Sequence, residues 1–331
     1  MRNATDLALL VMVCGVAACG GSSKHGTTPG TDGGSTTDGG GSDGGTTVAC
    51  APGASCTVAD KSCLGLVDNS GTTTFGLRMA QLTFTHPSSF TKGIIATTLA
   101  GAVTPALTTC NLDGSATFSW LLQFDTTGGT LTTGGAKPVA DPTTGYAFDS
   151  ETISGFMVQP AMMAATLDAT GNFAVATGVN LNLPIFLNAA GTASILLPIQ
   201  QARLTMGTVS SSHNCIGSYN AANLDPANNC QPTSSTPAFV TGGKVDGFIR
   251  LTDADQVTVA PVAESLCVLL SGDAATYGDG ASPIAHCKTD AGGAILFAGD
   301  WCSTTNAAAT ASCADSVQLS GDFAASSVKI N

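Results

Sequence analysis

The sequence predicts an all-β fold, either an antiparallel β-sandwich or a partly closed barrel, stapled by disulfides and carrying one or two short helices. Two observations predict the sheet. Apolar and polar residues alternate over short segments, and glycine-rich turns separate these segments. A third observation, an even number of cysteines after an apolar N-terminal leader, predicts the disulfides.

The alternation is clearest in residues 116–124, where Phe118, Trp120 and Leu122 share one face of a half-buried strand. Residues 163–167 are expected to pair with a strand at 173–183 through a turn that begins at Asp168. Paired glycines at 128–129 predict a second hairpin. The other segments predicted as strands are 77–84, 193–199, 202–209, 245–251 and 317–330.

Two segments have helical spacing instead. Residues 89–103 follow a potential Ser89 cap, and Thr252 begins a capping-box-like sequence ahead of an apolar stretch. Both are expected to be short helices that cover a sheet edge or a barrel end. The body, residues 50–331, is long enough for one or two β units, and the polar segment 228–243 is the expected boundary if there are two.

Residues 1–18 resemble the signal peptide of a bacterial lipoprotein. The apolar stretch 7–18 is too short to span a membrane, and it ends at Cys19 after two alanines. This ending resembles the lipobox, in which cleavage precedes the cysteine and its sulfur receives a diacylglycerol. The alternative is an ordinary secretory signal with a chance cysteine. Because Gly20 rather than Asp follows Cys19, the resemblance implies an outer-membrane or cell-surface location.

Residues 19–49 are expected to be a disordered tether that follows the lipidated cysteine. The segment consists mainly of Gly, Asp, Ser and Thr, and Asp-Gly-Gly recurs from Asp32, Asp38 and Asp43. A coil of this length has a reach of about 30 Å. The predicted organisation is therefore a signal peptide, a tether and a β-rich exported domain at 50–331.

The charge balance excludes nucleic acid as a partner. The chain has 11 Lys and Arg against 23 Asp and Glu, a net charge of -12, and its cations are scattered. Phosphate-binding proteins need clustered cations. Charged residues make up 10% of the chain, against about 25% in an ordinary globular protein, so Ser, Thr, Asn and backbone groups must hydrate much of the surface.

Ten cysteines remain after Cys14 in the leader and Cys19 are set aside. Local loops are the simplest pairings, so we expect one bridge between Cys215 and Cys230 and another between Cys302 and Cys313. The alternative is zinc, held by the neighbouring His and Cys at 213 and 215 and at 286 and 287. It is disfavoured, since no Cys-x-x-Cys pair is present and exported thiols are normally oxidised.

Three short sequence segments of the body also resemble other proteins: residues 118–124, 132–138 and 299–302. Together with the lipobox and the Asp-Gly-Gly tether, they resemble an uncharacterised group among the exported lipoproteins that are abundant in myxobacteria. That group has no assigned activity, so the resemblance implies export and anchoring and no chemistry.

No catalytic residue is predicted, and no P-loop, dinucleotide or H-E-x-x-H motif is present. A hydrolytic Ser, His and Asp site stays open, although His86 before Pro87 is more typical of a surface turn. The acidic, glycine-rich residues 271–302 predict a calcium site at Asp273, Asp279 and Asp290, with a solvated loop as the alternative.

The predicted function is a lipid-anchored protein of the outer membrane or cell surface, with a binding or structural role and a protein or glycan partner. Two alternatives stay open: a hydrolase, and a calcium-assisted carbohydrate-binding adhesin. Exposure of Trp301 beside the acidic loop would favour sugar binding, whereas a packed ring would not.

Replacing Cys19 tests the anchor. Cys19→Ser should abolish lipid incorporation and release the protein from the membrane fraction, because acylation needs this sulfur. Cys14→Ser, within the leader, is the control and should leave both unchanged. Fractionation and intact mass measure the outcome. A Cys19→Ser protein with unchanged mass and membrane association would contradict the lipobox assignment.

Overall fold

Eight antiparallel strands form the continuous path of an 11-stranded sheet in the computed structural model, within the part of the chain that it describes. That part comprises residues 65–91, 107–108, 111–112, 117–175, 177–192, 194–219, 224–225, 231–232, 239–272, 276–277 and 284–331. The eight strands are β1 (Thr74–His86), β2 (Ser119–Asp125), β3 (Thr130–Ala136), β4 (Ala161–Ala164), β5 (Val179–Phe186), β6 (Ser194–Thr205), β7 (Gly243–Arg250) and β8 (Ser316–Ser327).

The strands follow an up-and-down order, β5-β6-β7-β8-β1-β2-β3-β4. Every neighbouring pair is antiparallel, and every pair except β8 and β1 is also consecutive among these eight strands. The pairing of β8 with β1 joins the two ends of the body, so the gap in the sheet lies between β4 and β5. The all-β, antiparallel prediction is confirmed.

The sheet curls until its two ends approach each other. The Phe186 N–H at the end of β5 donates to the Thr117 carbonyl oxygen just before β2, at 3.0 Å. A Cβ at Gly135 would lie 2.5 Å from Pro184 Cδ, so only glycine lets β3 and β5 approach this closely. The Asn182 side chain adds a hydrogen bond of 2.8 Å to the Met157 carbonyl oxygen. The result is a nearly closed barrel.

Aromatic and aliphatic side chains fill the barrel interior. Alternate residues of each strand point inward, as Val245 and Ile249 of β7 show. The Phe124 ring lies 5.1 Å from that of Phe75 and 5.0 Å from that of Phe173, measured between ring centroids. A barrel of about eight strands is just wide enough for side chains to fill its interior. The interior of this barrel is accordingly a packed core.

Arg78 is buried in the outer wall of the barrel. Its Nε donates to Ser119 Oγ and its Nη2 to the Phe118 carbonyl oxygen, both at 3.0 Å. The guanidinium carbon lies 5.9 Å from the centre of the Tyr146 ring. Burial lowers the pKa of Arg78, with Tyr146 acting in the opposite direction. A hydrogen-bonded cation thus ties β1 to β2 beneath the segment that carries Tyr146.

Short elements occupy the connections. Within the described residues the α-helices are α1 (Leu251–Gln256) and α2 (Leu266–Ser271), and the 3-10 turns are Pro142–Thr144 and Ala260–Val262. None of the described helices is long and apolar enough to cross a bilayer. The remaining short strands are Leu107–Thr108, Asn111–Leu112, Glu151–Ile153, Phe156–Val158, Asn172–Phe173, Gly207–Thr208, Cys215–Ile216, Ser218–Tyr219, Leu224–Asp225, Gln231–Pro232, Phe239–Val240, Thr258–Val259, Glu264–Ser265, Thr276–Tyr277, Ala285–His286, Trp301–Cys302 and Ala307–Ala308.

The prediction of one continuous strand at 173–183 is wrong, because the structure has two separate strands in this segment. Asn172–Phe173 pairs with Gly207–Thr208, and β5 begins only at Val179. The expected hairpin with residues 163–167 is absent for the same reason. Asp168 does form a turn, since its Oδ1 accepts hydrogen bonds from the Thr170 and Asn172 N–H groups at 2.8 and 2.9 Å. The chain leaves that turn toward a different partner.

The helix starts differ from the predicted capping pattern. Helix α1 begins at Leu251 and has no side-chain cap, whereas Ser265 caps α2 by accepting a hydrogen bond from the Val268 N–H at 3.3 Å. Of the helix expected at 89–103, residues 92–103 lie outside the described part. The strands on either side of the expected boundary at 228–243 pair with each other, Thr205 facing Lys244. The described residues from Gly65 to Asn331 belong to one compact unit.

Candidate functional site

A polar groove of about 420 Å³ lies on the outer surface of the barrel, where strands β5 to β7 meet a loop of the β7–β8 connection. Four amides, two hydroxyl groups, one guanidinium and one phenyl ring supply its lining. We call it the amide groove, and its residues are Asn180, Gln200, Gln201, Phe248, Arg250, Ser303, Thr304 and Asn306.

A β-bulge in β6 builds the first wall. The pairing of β6 shifts register after Gln200, and Gln201 has a left-handed backbone with φ 52°. Asn180 Oδ1 accepts a hydrogen bond from the Gln201 N–H at 3.2 Å. A Cβ at Gly178 would lie 2.5 Å from the Gln201 carbonyl oxygen, so glycine is required beside the bulge. Gln200 and Gln201, at this bulge, both line the groove.

The β-hairpin formed by Trp301–Cys302 and Ala307–Ala308 builds the second wall. The Cys302–Cys313 disulfide holds its base, with a Cα–Cα distance of 5.2 Å. Asn306 lies at the tip with a left-handed φ of 49°, and its Oδ1 accepts a hydrogen bond from the Trp301 indole N–H at 3.1 Å. The indole, which is half-buried, therefore holds the amide in place.

Asp315 fixes the hairpin from below. It accepts hydrogen bonds from the Ser303 N–H at 2.8 Å and from Ser303 Oγ at 2.5 Å. Burial acts to raise the pKa of Asp315, but the hydrogen bonds from Ser303 and Ser316 outweigh burial and the pKa lies below its usual value. Asp315 therefore stabilises the fold above the ordinary carboxyl pKa, and the contribution is lost as the pH falls through the lowered value.

The groove has one charged lining residue. Arg250 is exposed at the end of β7, and Asp253 lies in the first turn of α1, where its Oδ2 accepts a hydrogen bond from Gln200 Nε2 at 3.4 Å. Burial raises the pKa of Asp253, and the nearby Arg250 opposes that rise. Phe248 contributes the apolar part of the lining and is only 3% exposed.

A smaller pocket of about 160 Å³ lies at the end of β1. His86 Nε2 contacts Asp300 Oδ2 there, and Asp300 Oδ1 accepts a hydrogen bond from the Gln318 N–H at 2.8 Å. Ser88 and Ser89 line the same pocket. Ser89 Oγ is buried and has no hydrogen-bond partner among the described residues. A histidine, a carboxylate and two serines are thus brought together, which the sequence left open.

The disulfides include the Cys302–Cys313 bridge expected from the sequence. Cys215 is also disulfide-bonded, and Cys230, its expected partner, lies outside the described residues. A further bridge, between Cys267 and Cys287, joins α2 to the chain after Ala285–His286. Asp255 has an oxygen within 4.8 Å of both sulfur atoms of that bridge, but disulfide sulfurs are not the thiolates that zinc needs.

Of the three predicted calcium ligands, the structure describes one, Asp290. Asp290 lies in a tight turn, where its Oδ1 accepts hydrogen bonds from the Gly292 and Ala294 N–H groups at 2.8 and 2.9 Å. Asp273 and Asp279 lie outside the described residues, as does Cys19. The calcium site and the lipidation site therefore stay predictions.

The residues of the amide groove were not predicted from the sequence. Asn180, Arg250 and Asn306 lie far apart in the chain, and only the barrel brings them together. The paired glutamines at 200 and 201 are the one local signal, because they interrupt an apolar run at the point where two strands were predicted. The structure has a single bulged strand there.

Comparisons with family models, curated proteins and solved structures gave no match.

Removing the Cys302–Cys313 bridge tests how the second wall is held. The double variant Cys302→Ala with Cys313→Ala should lower the free energy of unfolding by about 3 kcal/mol, because an open loop of this length gains entropy in the unfolded chain. Amide hydrogen exchange should also accelerate at residues 303–308, while β1 stays protected. Unchanged exchange across the hairpin would contradict the role of the bridge.

Proposed function

We propose that this chain is a lipid-anchored protein of the outer membrane or cell surface whose β domain binds a ligand in the amide groove. The observation that carries the proposal is the pair of left-handed residues on opposite walls, Gln201 and Asn306. The rest of the proposal is the predicted anchor at Cys19 with the tether that follows it.

The left-handed residues support binding because such a backbone is uncommon outside glycine and costs energy. Each is held by a specific contact: the Asn180 side chain holds Gln201, and the Trp301 indole holds Asn306. Both side chains belong to polar residues that line one groove. Contacts of this kind keep recognition groups in position before a ligand arrives, which lowers the ordering cost of binding.

The anchor supports a ligand outside the cell or in the envelope. A tether with a reach of about 30 Å would hold the domain near a membrane and leave the groove open to large partners. The net charge of -12 and the mainly neutral lining disfavour polyanionic partners. A purely structural role would not need a groove in which the side chains of Asn180, Gln200 and Asn306 are each held by a hydrogen bond.

A hydrolase is the second candidate, and the contact between His86 and Asp300 favours it. A carboxylate orients a histidine in Ser-His-Asp sites, and Ser88 and Ser89 line the same pocket. No hydrogen bond joins His86 to either serine among the described contacts, and Ser89 Oγ has no partner there. The pocket therefore offers the residue types of a hydrolase without its proton path, and binding is the better-supported function.

An array of glycans and peptides tests the binding function with the full chain in detergent. We expect at least one component to be retained, and we expect Gln201→Gly to weaken its retention. Glycine adopts the left-handed backbone freely, so this variant removes the amide and keeps the bulge. Ser154→Gly is the matched control, since Ser154 also has φ 52° but does not line the groove. Retention that is the same for Gln201→Gly as for the unaltered chain would contradict the proposal.

A p-nitrophenyl ester assay tests the hydrolase candidate. If the small pocket is catalytic, the chain releases p-nitrophenol and His86→Ala reduces the rate by several orders of magnitude. Asp290→Ala, which alters another exposed turn, is the control. We expect no hydrolysis that depends on His86, and a rate abolished by His86→Ala would make the enzyme the better assignment.

A further inference from the structure

We propose that the ligand of the amide groove is an uncharged saccharide, read mainly by side-chain amides. This inference rests on the proposed binding function and names the chemical class of the ligand. Its support comes from the hydrogen-bonding groups that remain free toward the groove, from the charge of the lining and from the shape of the two walls.

The internal contacts of the amides leave a defined set of groups toward the groove. Asn180 and Asn306 each use Oδ1 inside the protein, which leaves their NH₂ groups as donors. Gln200 uses its Nε2 on Asp253, which leaves Oε1 as an acceptor. Donors and an acceptor thus lie side by side. A sugar hydroxyl both donates and accepts, so neighbouring hydroxyls on one ring match such a mixed lining.

The charge of the groove favours a neutral ligand. Arg250 is the one charged residue of the lining, and Asp253 lies close enough to affect its electrostatics. The net charge of -12 repels an anionic polymer as it approaches. A neutral sugar meets no such barrier, and the guanidinium of Arg250 offers it further N–H donors. Uronic acids and phosphorylated polymers fit less well.

The lining also disfavours a peptide. Peptide-binding grooves combine main-chain pairing along a free strand edge with apolar pockets for side chains. Here the strands β6 and β7 are paired with each other, and Phe248 is the only apolar lining residue. A volume of about 420 Å³ with mainly polar walls instead suits a short stretch of a glycan.

Trp301 does not give the inference the stacking support that an exposed ring in the groove would have given. The ring is half-buried, its N–H is used on Asn306, and Trp301 is not one of the residues that line the groove. Recognition then depends on hydrogen bonds, and each amide should contribute modestly. Loss of one neutral hydrogen bond weakens binding by roughly three- to tenfold.

Isothermal titration calorimetry tests the inference with the full chain in detergent. The probes are maltohexaose, cellohexaose, chitohexaose and mannohexaose as neutral glycans, and polygalacturonate as an acidic one. We expect at least one neutral probe to bind, with an affinity that changes less than twofold between low and physiological salt. Gln201→Gly and Asn306→Gly should each weaken binding by roughly three- to tenfold. Ser154→Gly should bind as the unaltered chain does.

Arg250→Gln separates the ligand classes. A neutral sugar should lose no more than about tenfold on this change, because the amide still donates hydrogen bonds, whereas an acidic ligand should lose most of its affinity. Groove-dependent binding of polygalacturonate or of array peptides, with no neutral probe bound, would overturn the saccharide inference and leave the binding function intact. If neither the array nor calorimetry detects groove-dependent binding, both proposals fall.

Discussion

The pairing of β8 with β1 is the contact on which the rest of the domain depends. The register runs from Leu77 opposite Ser327 to His86 opposite Ser320. Because β8 also pairs with β7, it connects the two halves of the sheet. This pairing turns a linear meander into a nearly closed barrel with its interior filled by Phe and Leu side chains. It also removes two exposed strand edges, which would otherwise invite association with other chains.

Closure of the barrel also determines where the groove forms. The connection between β7 and β8, residues 251–315, must start and end at neighbouring strands, so its hairpin returns to the place where β7 ends. Trp301 pairs with Ser316 at the beginning of β8, and Ser303 is held by Asp315 one residue earlier. The bulge of β6 lies one strand beyond β7. The groove is therefore a product of strand register and of one disulfide-bonded hairpin.

The scarcity of charge explains the chemistry of both the fold and the groove. Charged residues make up only 10% of the chain, and the few that are present mostly bind hydroxyl, amide and backbone groups. Asp168, Asp290 and Asp315 use their carboxylates to hold backbone N–H groups. Arg78 is a buried cation satisfied by a hydroxyl and a carbonyl oxygen. A surface built this way suits neutral, hydrogen-bonding ligands better than ionic ones.

The sequence by itself determined the local features: the class of fold, most of the long strands, the hairpin at 127–130 and the Cys302–Cys313 pairing. Alternation and turn chemistry act between near neighbours, so they can be read from residues close together in the chain. Only the tertiary structure decided that Phe173 pairs with Gly207, that β6 is one bulged strand, and that Asn180, Gln201, Arg250 and Asn306 share a groove. These outcomes depend on the register across a barrel closed between its first and last long strands, and register is a long-range property that no local pattern encodes.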